Sequence, residues 1–315
     1  TNPTPKLGRL AATNPCGELP LLPWESCNLG SLRLDAFVTD GAVDFPRLDA
    51  AVDLAVRFLD DVIEVSRYPY VMGFADLLVD LAIPYDSPEA VRMAERVMAR
   101  IHARALEASA ALAAERGVFS NFAGSRAEAL GRRVRNATVT SIAPTGTLSI
   151  LAGCSGGIEP YFALSFVRHV LDGQRLPETN PRFEAALRRE GAYSADLVAE
   201  VHGSGSVRSI AAAPEAVRRL FPTALDLAPS WHLAIQEAFQ HHVDNAVSKT
   251  INLPAETTPD QVAALYTDAW RRGLKGVTVF REGCKGAAAV LVRGASGAYE
   301  AAPTFSGDCA DSRCA

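Results

Sequence analysis

Between Ser248 and Phe280 the chain reads as a strand, a helix and a second strand joined by short links, and this order constrains the fold more than any other feature. "SKTINLP" is short and β-branched. Thr258-Pro259-Asp260-Gln261 then supplies an N-cap, a first-turn proline and a capping-box partner, and the helix they open runs to Gly273. "KGVTVF" follows as a second strand. Two strands separated by a helix pair in parallel, because an antiparallel pair is joined by a tight turn instead. Parallel pairing repeated along a chain means an α/β sheet or barrel.

Other segments agree. Residues 47–65 place Leu48, Val52, Ala55, Leu59 and Val62 on one helical face. Asp86-Ser87-Pro88 opens a long helix that ends near Gly117. "ATVTSIAPTGTLS", from Ala137, begins with β-branched alternation and breaks at Pro144 and Gly146, a strand leading into a turn. No internal repeat is evident. From about Gly286 the periodicity fades, so residues 1–294 are expected to form the folded body and 295–315 a flexible tail.

At 315 residues and 48% hydrophobic content the chain can bury a sizeable core, as one large α/β domain or two ordinary ones. A net charge of −5 and the lack of a basic run give no nucleic-acid surface. Apolar runs fall short of a membrane span, and the first twenty residues lack a signal-peptide layout, so a cytoplasmic protein is expected. The first residue is Thr1, which suggests a fragment or processed product. The 6 cysteines are too sparse for a secreted disulfide scaffold, and without a C-x-x-C pair a structural zinc site has little support. In a reducing compartment such cysteines are usually small buried hydrophobes. Cys309 and Cys314 differ: in "GDCADSRCA", after a polar, glycine-rich stretch, they suit thiol–disulfide exchange.

Three places could hold chemistry. In an extended loop Asn14, Cys16 and Glu18 would point the same way and converge on one ligand. A carboxylate can take a hydroxyl proton, an amide can hold that hydroxyl, and a thiol can exchange a hydrogen atom. A turn built by Pro15 and Gly17 around a buried cysteine accounts for the same residues, and the pattern leaves both open. "APTGTLS" offers hydroxyls and backbone N–H groups that would attract phosphate if a helix begins there, although it is no Walker loop. Gly153-Cys154-Ser155-Gly156-Gly157 has the G-x-S-x-G form, and a serine hydrolase could draw on Asp244 with His241 or His242. Against it, Pro160 would interrupt the helix that must follow Ser155. A non-catalytic nucleotide-binding module would need the phosphate loop but leaves the cysteines unexplained.

"NPTPKLGRLAATNPCGELPLLPWESCNLGS", "VMGFADLL", "ALAAERGVF", "RNATVTSIAPTGTLSILAGCSGGIEPYFA", "VDNAVSKTINLP" and "GLKGVTVF" occur in this order. Together they resemble the catalytic subunit of ribonucleotide reductase, in particular its adenosylcobalamin-dependent class, over nearly the whole chain apart from the tail. The resemblance implies part of a ten-stranded α/β barrel with a central finger loop. It implies that Cys16 becomes a thiyl radical abstracting the ribose 3′-hydrogen, while Glu18 takes the 3′-hydroxyl proton and Asn14 anchors the same region. Cys27 would be one thiol of the pair that reduces the ribose and closes to a disulfide. Pro144, Thr145, Gly146, Thr147, Leu148 and Ser149 match the loop for the substrate phosphates. Cys309 and Cys314 match the pair that re-reduces the site and is renewed by thioredoxin or a similar dithiol donor.

The resemblance also carries expectations about what differs. Where the radical comes from a separate metal subunit, the family has a tyrosine pair after Gly-Leu-Lys; here Gly276, Val277, Thr278 and Val279 follow Gly273-Leu274-Lys275, so adenosylcobalamin is the expected cofactor. The family's N-terminal half precedes the finger, so the expected enzyme, a thioredoxin-linked ribonucleoside-diphosphate reductase, needs a complementing N-terminal half. Unpaired edges of half a barrel invite association, a homodimer included. Arg67 to Tyr70 look like the scar of a deletion. Cys154 stands where a small residue without a thiol is typical, and neither it nor Cys284 is given a role.

Overall fold

The computed structural model describes residues 2–14, 16–23, 30–63, 69–169, 175–284, 291–293 and 299–301. In chain order the elements are β1 (Ala12–Thr13), β2 (Pro20–Leu21), β3 (Gly30–Arg33), β4 (Val38–Thr39), β5 (Ala42–Val43), α1 (Phe45–Ile63), β6 (Pro69–Met72), α2 (Phe74–Asp80), α3 (Pro88–Arg116), α4 (Arg126–Ala129) and α5 (Gly146–Ala152). They continue with β7 (Ser165–His169), β8 (Arg175–Thr179), α6 (Pro181–Arg189), α7 (Ala195–Ser204), α8 (Glu215–Leu220), α9 (Pro229–Gln240), β9 (Thr250–Leu253), α10 (Pro259–Arg271), β10 (Thr278–Arg281), β11 (Leu291–Arg293) and β12 (Tyr299–Ala301). Two compact units divide the chain: Thr1–Pro160 with Ala228–Asn252 and Thr257–Phe280, and Tyr161–Leu227 with Leu253–Glu256 and Arg281–Ala315.

The first unit is organised by α3. Ser87 caps it by accepting the Ala90 N–H at 3.1 Å, Pro88 occupies its first turn, and Gly117, at φ 82°, stops it. Ala90, Ala94, Val97, Met98, Ile101, Ala105 and Leu112 are its buried stripe, at the i, i+3, i+4 spacing of a single helical face. Three alanines in that stripe let neighbours approach closely. One neighbour is α1, which buries Leu48, Val52, Val56 and Leu59; the other is α9. Phe74 at the start of α2 completes this core, edge-on to Phe239 at 5.0 Å and to Tyr85 at 6.1 Å.

Ion pairs rim the contact of α1 with α3, Arg100 to Asp49 and Arg57 to Glu115 among them, and exposed pairs of this kind contribute little. Asp60 is different, because its side chain is 1% exposed. It accepts from Arg116 at 2.8 Å, Arg135 at 3.3 Å and the Asn136 amide at 3.0 Å. Asn136 is also held by Ser109, whose hydroxyl donates to its side chain at 2.8 Å and accepts its N–H at 3.0 Å. Residues 135–136 are therefore pinned to both helices before the chain enters the segment that reaches the site. At the other end of that core, the buried Lys249 ammonium donates to Glu159 and to the Thr250 carbonyl at 2.9 Å, beside His232 Nδ1 at 3.0 Å. Burial lowers its pKa, and Glu159 opposes that shift.

The capping box expected at Thr258 is formed with Gln261, α10 follows it, and β9 and β10 hydrogen-bond to each other. The segment from Ala137 is less regular than a strand: it makes one isolated parallel bridge, Ile142 to Val247. Among the described residues no sheet closes into a barrel. The largest sheet lies in the second unit with order β11-β12-β7-β8, and the remaining strands pair in twos. β12 runs parallel to β7, so residues 299–301 belong to a sheet, and the expectation of an unstructured tail from 295 fails for these three. Pro69–Met72 likewise pair in parallel with β3, in register from Gly30↔Pro69 to Arg33↔Met72. Among the described residues no helix is long and apolar enough to cross a membrane.

Replacing Asp60 by Ala leaves two guanidinium groups and an amide without their shared acceptor. Urea unfolding of Asp60→Ala should show a loss of about 3 kcal/mol, against less than about 0.5 kcal/mol for Glu115→Ala on the exposed rim.

Candidate active site

Asn14 and residues 16–19 form the tip of a hairpin. β1 and β2 pair antiparallel, Ala12↔Leu21 and Thr13↔Pro20, and the Asn14 N–H reaches the Leu19 carbonyl at 3.2 Å. Gly17, at φ 78°, turns the chain back and donates its N–H to the Asn14 carbonyl at 3.0 Å. The Asn14 side-chain oxygen accepts the Leu19 N–H at 3.0 Å. This tight turn replaces the extended loop expected from the sequence, so strict alternation does not set where the three side chains point. Cys16 is exposed, Glu18 is buried and Asn14 is half-buried. Cys16 and Glu18 nonetheless interact: partial burial, and then the Glu18 carboxylate, push the Cys16 thiol pKa up. At neutral pH the sulfur therefore keeps its proton.

The tip is attached through Glu18. Its backbone carbonyl accepts the Ala246 N–H at 2.7 Å and the Ser141 hydroxyl at 3.1 Å. Ser141 and Ala246 come from neighbouring segments that are themselves linked, Ile142 N–H to the Ala246 carbonyl at 3.2 Å and Ser248 N–H to the Ile142 carbonyl at 2.8 Å.

Four residues beyond Ser141 the chain turns. Thr145 is in the left-handed region at φ 52°, and its buried hydroxyl accepts the Gly157 N–H at 2.7 Å. α5 starts at Gly146. The Ser149 N–H is bonded to the Thr145 carbonyl at 2.8 Å, and the Ser149 hydroxyl folds back on the Gly146 carbonyl at 2.8 Å. The N–H groups before Ser149 are those that an α-helix leaves without an internal acceptor. A Cβ added to Gly146 would meet nothing within 4 Å, so this end of the turn opens onto free space.

Behind the turn runs the stretch from Cys154 to Gly157. A Cβ on Gly157, at φ 46°, would lie 2.7 Å from the Ala143 carbonyl, and one on Gly156 would lie 3.1 Å from that of Pro144. Only glycines allow this approach. Ser155 is fixed by its backbone to Asp76 and to the Gly73 N–H, the latter at 2.9 Å, while its hydroxyl accepts the Asp76 N–H at 3.3 Å. No helix follows it. The nucleophile-elbow arrangement is absent, and the serine-hydrolase alternative falls with it. Asp35, Asp76 and Cys154 offer ligand atoms within 4.8 Å of one another, but Arg33 already engages Asp35, at 2.8 Å, and the Ala152 carbonyl at the end of α5, also at 2.8 Å.

A family model, the ribonucleotide reductase barrel domain, matches residues 1–280. The chain belongs to the ribonucleotide reductase barrel-domain family. It is 49% identical over 330 residues to a vitamin B12-dependent ribonucleoside-diphosphate reductase of Mycobacterium tuberculosis, an alignment covering 99% of this chain and 46% of that protein. It is 47% identical over 301 residues to the protein of the same name from Thermoplasma acidophilum, covering 90% of this chain and 39% of the other. A ribonucleoside-diphosphate reductase subunit alpha of Chlamydia pneumoniae is 29% identical over 85% of this chain and 31% of its own length. The chain thus spans about half the length, or less, of the curated relatives it matches. Among solved structures, the class Id ribonucleotide reductase alpha subunit of Actinobacillus ureae superposes with a TM-score of 0.68 at 22% identity, over 89% of this chain and 55% of that one, a likeness of fold.

In this member of the ribonucleotide reductase family the residues singled out by sequence fall into three groups. Asn14, Cys16 and Glu18 share one hairpin tip, and Pro144 to Ser149 form one turn. Cys27, Cys309 and Cys314 lie outside the described residues. Cys154 is half-buried and Cys284 is exposed. Sequence reasoning missed Gly156 and Gly157 as supports of the turn at Thr145, and Asp76 as the anchor of the adjacent Ser155; the paired glycines were the available signal.

Two outcomes follow from this geometry. Glu18→Gln removes the negative charge that disfavours the Cys16 thiolate, so the pH midpoint for alkylation of Cys16, followed by peptide mass spectrometry, should move down. Gly157→Ala forces a side chain against the Ala143 carbonyl in a left-handed backbone, and should cost about 1–3 kcal/mol in unfolding experiments, while Gly131→Ala, whose Cβ would meet nothing within 4 Å, should cost less.

Proposed function

We propose that this chain is the C-terminal portion of the catalytic barrel of an adenosylcobalamin-dependent ribonucleotide reductase, and that it acts on ribonucleoside diphosphates. What chiefly supports this is one arrangement: the Cys16 thiol at the tip of a hairpin stitched by Glu18 to the same segment that, four residues on, becomes the turn at Thr145. The four residues from Ser141 to Thr145 span at most about 14 Å, and in this reading the sulfur addresses the sugar and the turn the phosphates of one nucleotide. The names of the Mycobacterium and Thermoplasma relatives support the cofactor.

Each side chain has a task in this proposal. The turn from Pro144 to Ser149 holds the phosphates by its N–H groups and hydroxyls, which fixes where the ribose lies. The sulfur of Cys16, as a thiyl radical, takes the 3′-hydrogen and forms S–H. Glu18 takes the 3′-hydroxyl proton, and Asn14 holds that region. Departure of the 2′-hydroxyl as water needs two electrons, supplied by a thiol pair that includes Cys27 and closes to a disulfide. Cys309 and Cys314 reopen it by exchange and are reduced by thioredoxin or a similar dithiol.

The exposure of the sulfur fits adenosylcobalamin, because a large organic group can reach Cys16. Gly276, Val277, Thr278 and Val279, with no tyrosine among them, fit a radical that does not arrive from a separate metal subunit. Bound there, the cofactor supplies the radical, and the protein supplies position and shielding. Closure of a ten-stranded barrel around the finger would come from a complementing N-terminal half.

The test is an assay of ribonucleoside diphosphate reduction with adenosylcobalamin and dithiothreitol. The chain is assayed alone and with a separately expressed segment equivalent to the preceding part of a vitamin B12-dependent relative. Deoxynucleotide should form only with the added segment, and Cys16→Ser should bring it to background. Loss of Cys309 or Cys314 should lower turnover with thioredoxin more than with dithiothreitol. Full turnover by the chain alone would remove the need for a second half; undiminished product from Cys16→Ser would remove the radical role.

A further inference from the structure

A cleft of about 350 Å³ opens in the first unit, where the middle of α3, the α4 segment and the turn after α9 meet. It lies apart from the residues of the hairpin tip and the Thr145 turn, none of which lines it. Arg126, Arg132 and Lys275 stand in its walls with His102, His241 and His242, and Asp244 is the single carboxylate among the lining residues. Three fixed positive charges therefore face one negative charge, on a chain whose net charge is −5.

The carboxylate is already engaged. Asp244 Oδ2 accepts the Val139 N–H at 2.8 Å, and Oδ1 lies 3.9 Å from His102 Nε2. Lys275 donates to the Asp244 and Asn245 carbonyls at 2.7 Å each. His102 Nδ1 is 3.0 Å from the Thr140 hydroxyl. Arg126 and Arg132 remain. Both are exposed, and among the described residues their guanidinium groups enter no ion pair. The positive groups also press on one another. Burial is the main cause of the lowered His102 and Lys275 pKa values; Asp244 opposes it at both, while Arg132 and His242 add smaller contributions at His102 and Arg126 at Lys275. Converging, mutually repelling donors in a concave site are stabilised by an anion, and a guanidinium fork matches phosphate oxygens in particular. The volume is that of a small-ligand site.

We propose that this cleft binds a phosphoryl anion, held by Arg126 and Arg132 with His241 and His242, at a place separate from the turn after Pro144. Pyrophosphate and the phosphate end of a nucleotide present the same chemistry to it.

The experiment follows the histidine ring signals of the 315-residue chain by NMR, at constant ionic strength, during titration with orthophosphate, pyrophosphate or ADP. His102 and His242 should shift saturably. In Arg126→Gln/Arg132→Gln, which should fold with an unchanged melting temperature, the apparent affinity should fall at least about tenfold. Arg126→Lys/Arg132→Lys, which keeps the charges without the forks, should fall in between. Tighter binding of ADP than pyrophosphate assigns the site to a nucleotide, and equal binding assigns it to the free anion. No saturable shift with any of the three, or shifts undiminished in the glutamine variant, would overturn the proposal. Cys16→Ser leaves this titration untouched, so its outcome is independent of the reductase assay.

Discussion

One backbone oxygen holds the candidate site together. The Glu18 carbonyl accepts from Ala246 and from Ser141; the hairpin's own bonds are the pairs Ala12↔Leu21 and Thr13↔Pro20 and the turn contacts of Asn14. A two-stranded hairpin of that size is not stable by itself in water. The tip is thus positioned from outside, by two segments that are fixed to each other and, through Asn136 and Asp60, to the packed helices α1 and α3. Placement of the sulfur is inherited from the helical core.

The turn at Thr145 depends on a second support of the same kind. α5 is 7 residues long, too short to persist unaided. It is held at its start by the Thr145 hydroxyl and the two glycines behind it, and at its end by Arg33, which reaches the Ala152 carbonyl while bound to the buried Asp35. A cation at a helix C-terminus is also favourable for the helix dipole. The Cys154 sulfur lies within 4.8 Å of carboxylate oxygens of Asp35 and Asp76, as part of this support.

Where local chemistry decides, the sequence was a sufficient guide. Ser87-Pro88 and Gly117 bound α3, and Thr258 with Gln261 caps α10, because caps and breakers act within a few residues. Where long-range contacts decide, it was not. The β-branched run from Ala137 suggested a strand, yet only Ile142 makes a bridge, since its partner lies a hundred residues away and the Glu18 carbonyl takes up the Ser141 hydroxyl. Alternation put Asn14, Cys16 and Glu18 on one face, but Gly17 adopts a positive φ that no periodicity foretells. Ser155 fitted a nucleophile motif, but Gly157, one of the two glycines that made it fit, serves instead with Gly156 to bring backbone against backbone. Family resemblance, resting on several segments in order, was legible across nearly the entire chain, while the relation of thiol to carboxylate required coordinates.

The exposure of Cys16 bears on the proposed chemistry in a definite way. Radical chemistry at a sulfur demands that water and stray hydrogen donors be kept away, because enclosure both protects the intermediate and strengthens every interaction with it. Among the described residues that sulfur is exposed, and Ile150 and Leu151, just past the turn at Thr145, are 57% and 80% exposed. An exposed thiol and bare apolar side chains both suit a surface that another surface covers. The relatives are about twice as long as the part matched here, so they have chain enough to provide it. Positioning of the thiol and enclosure of the thiol are then separable properties: the first is built by Ser141, Ala246 and Glu18 within these residues, and the second is not.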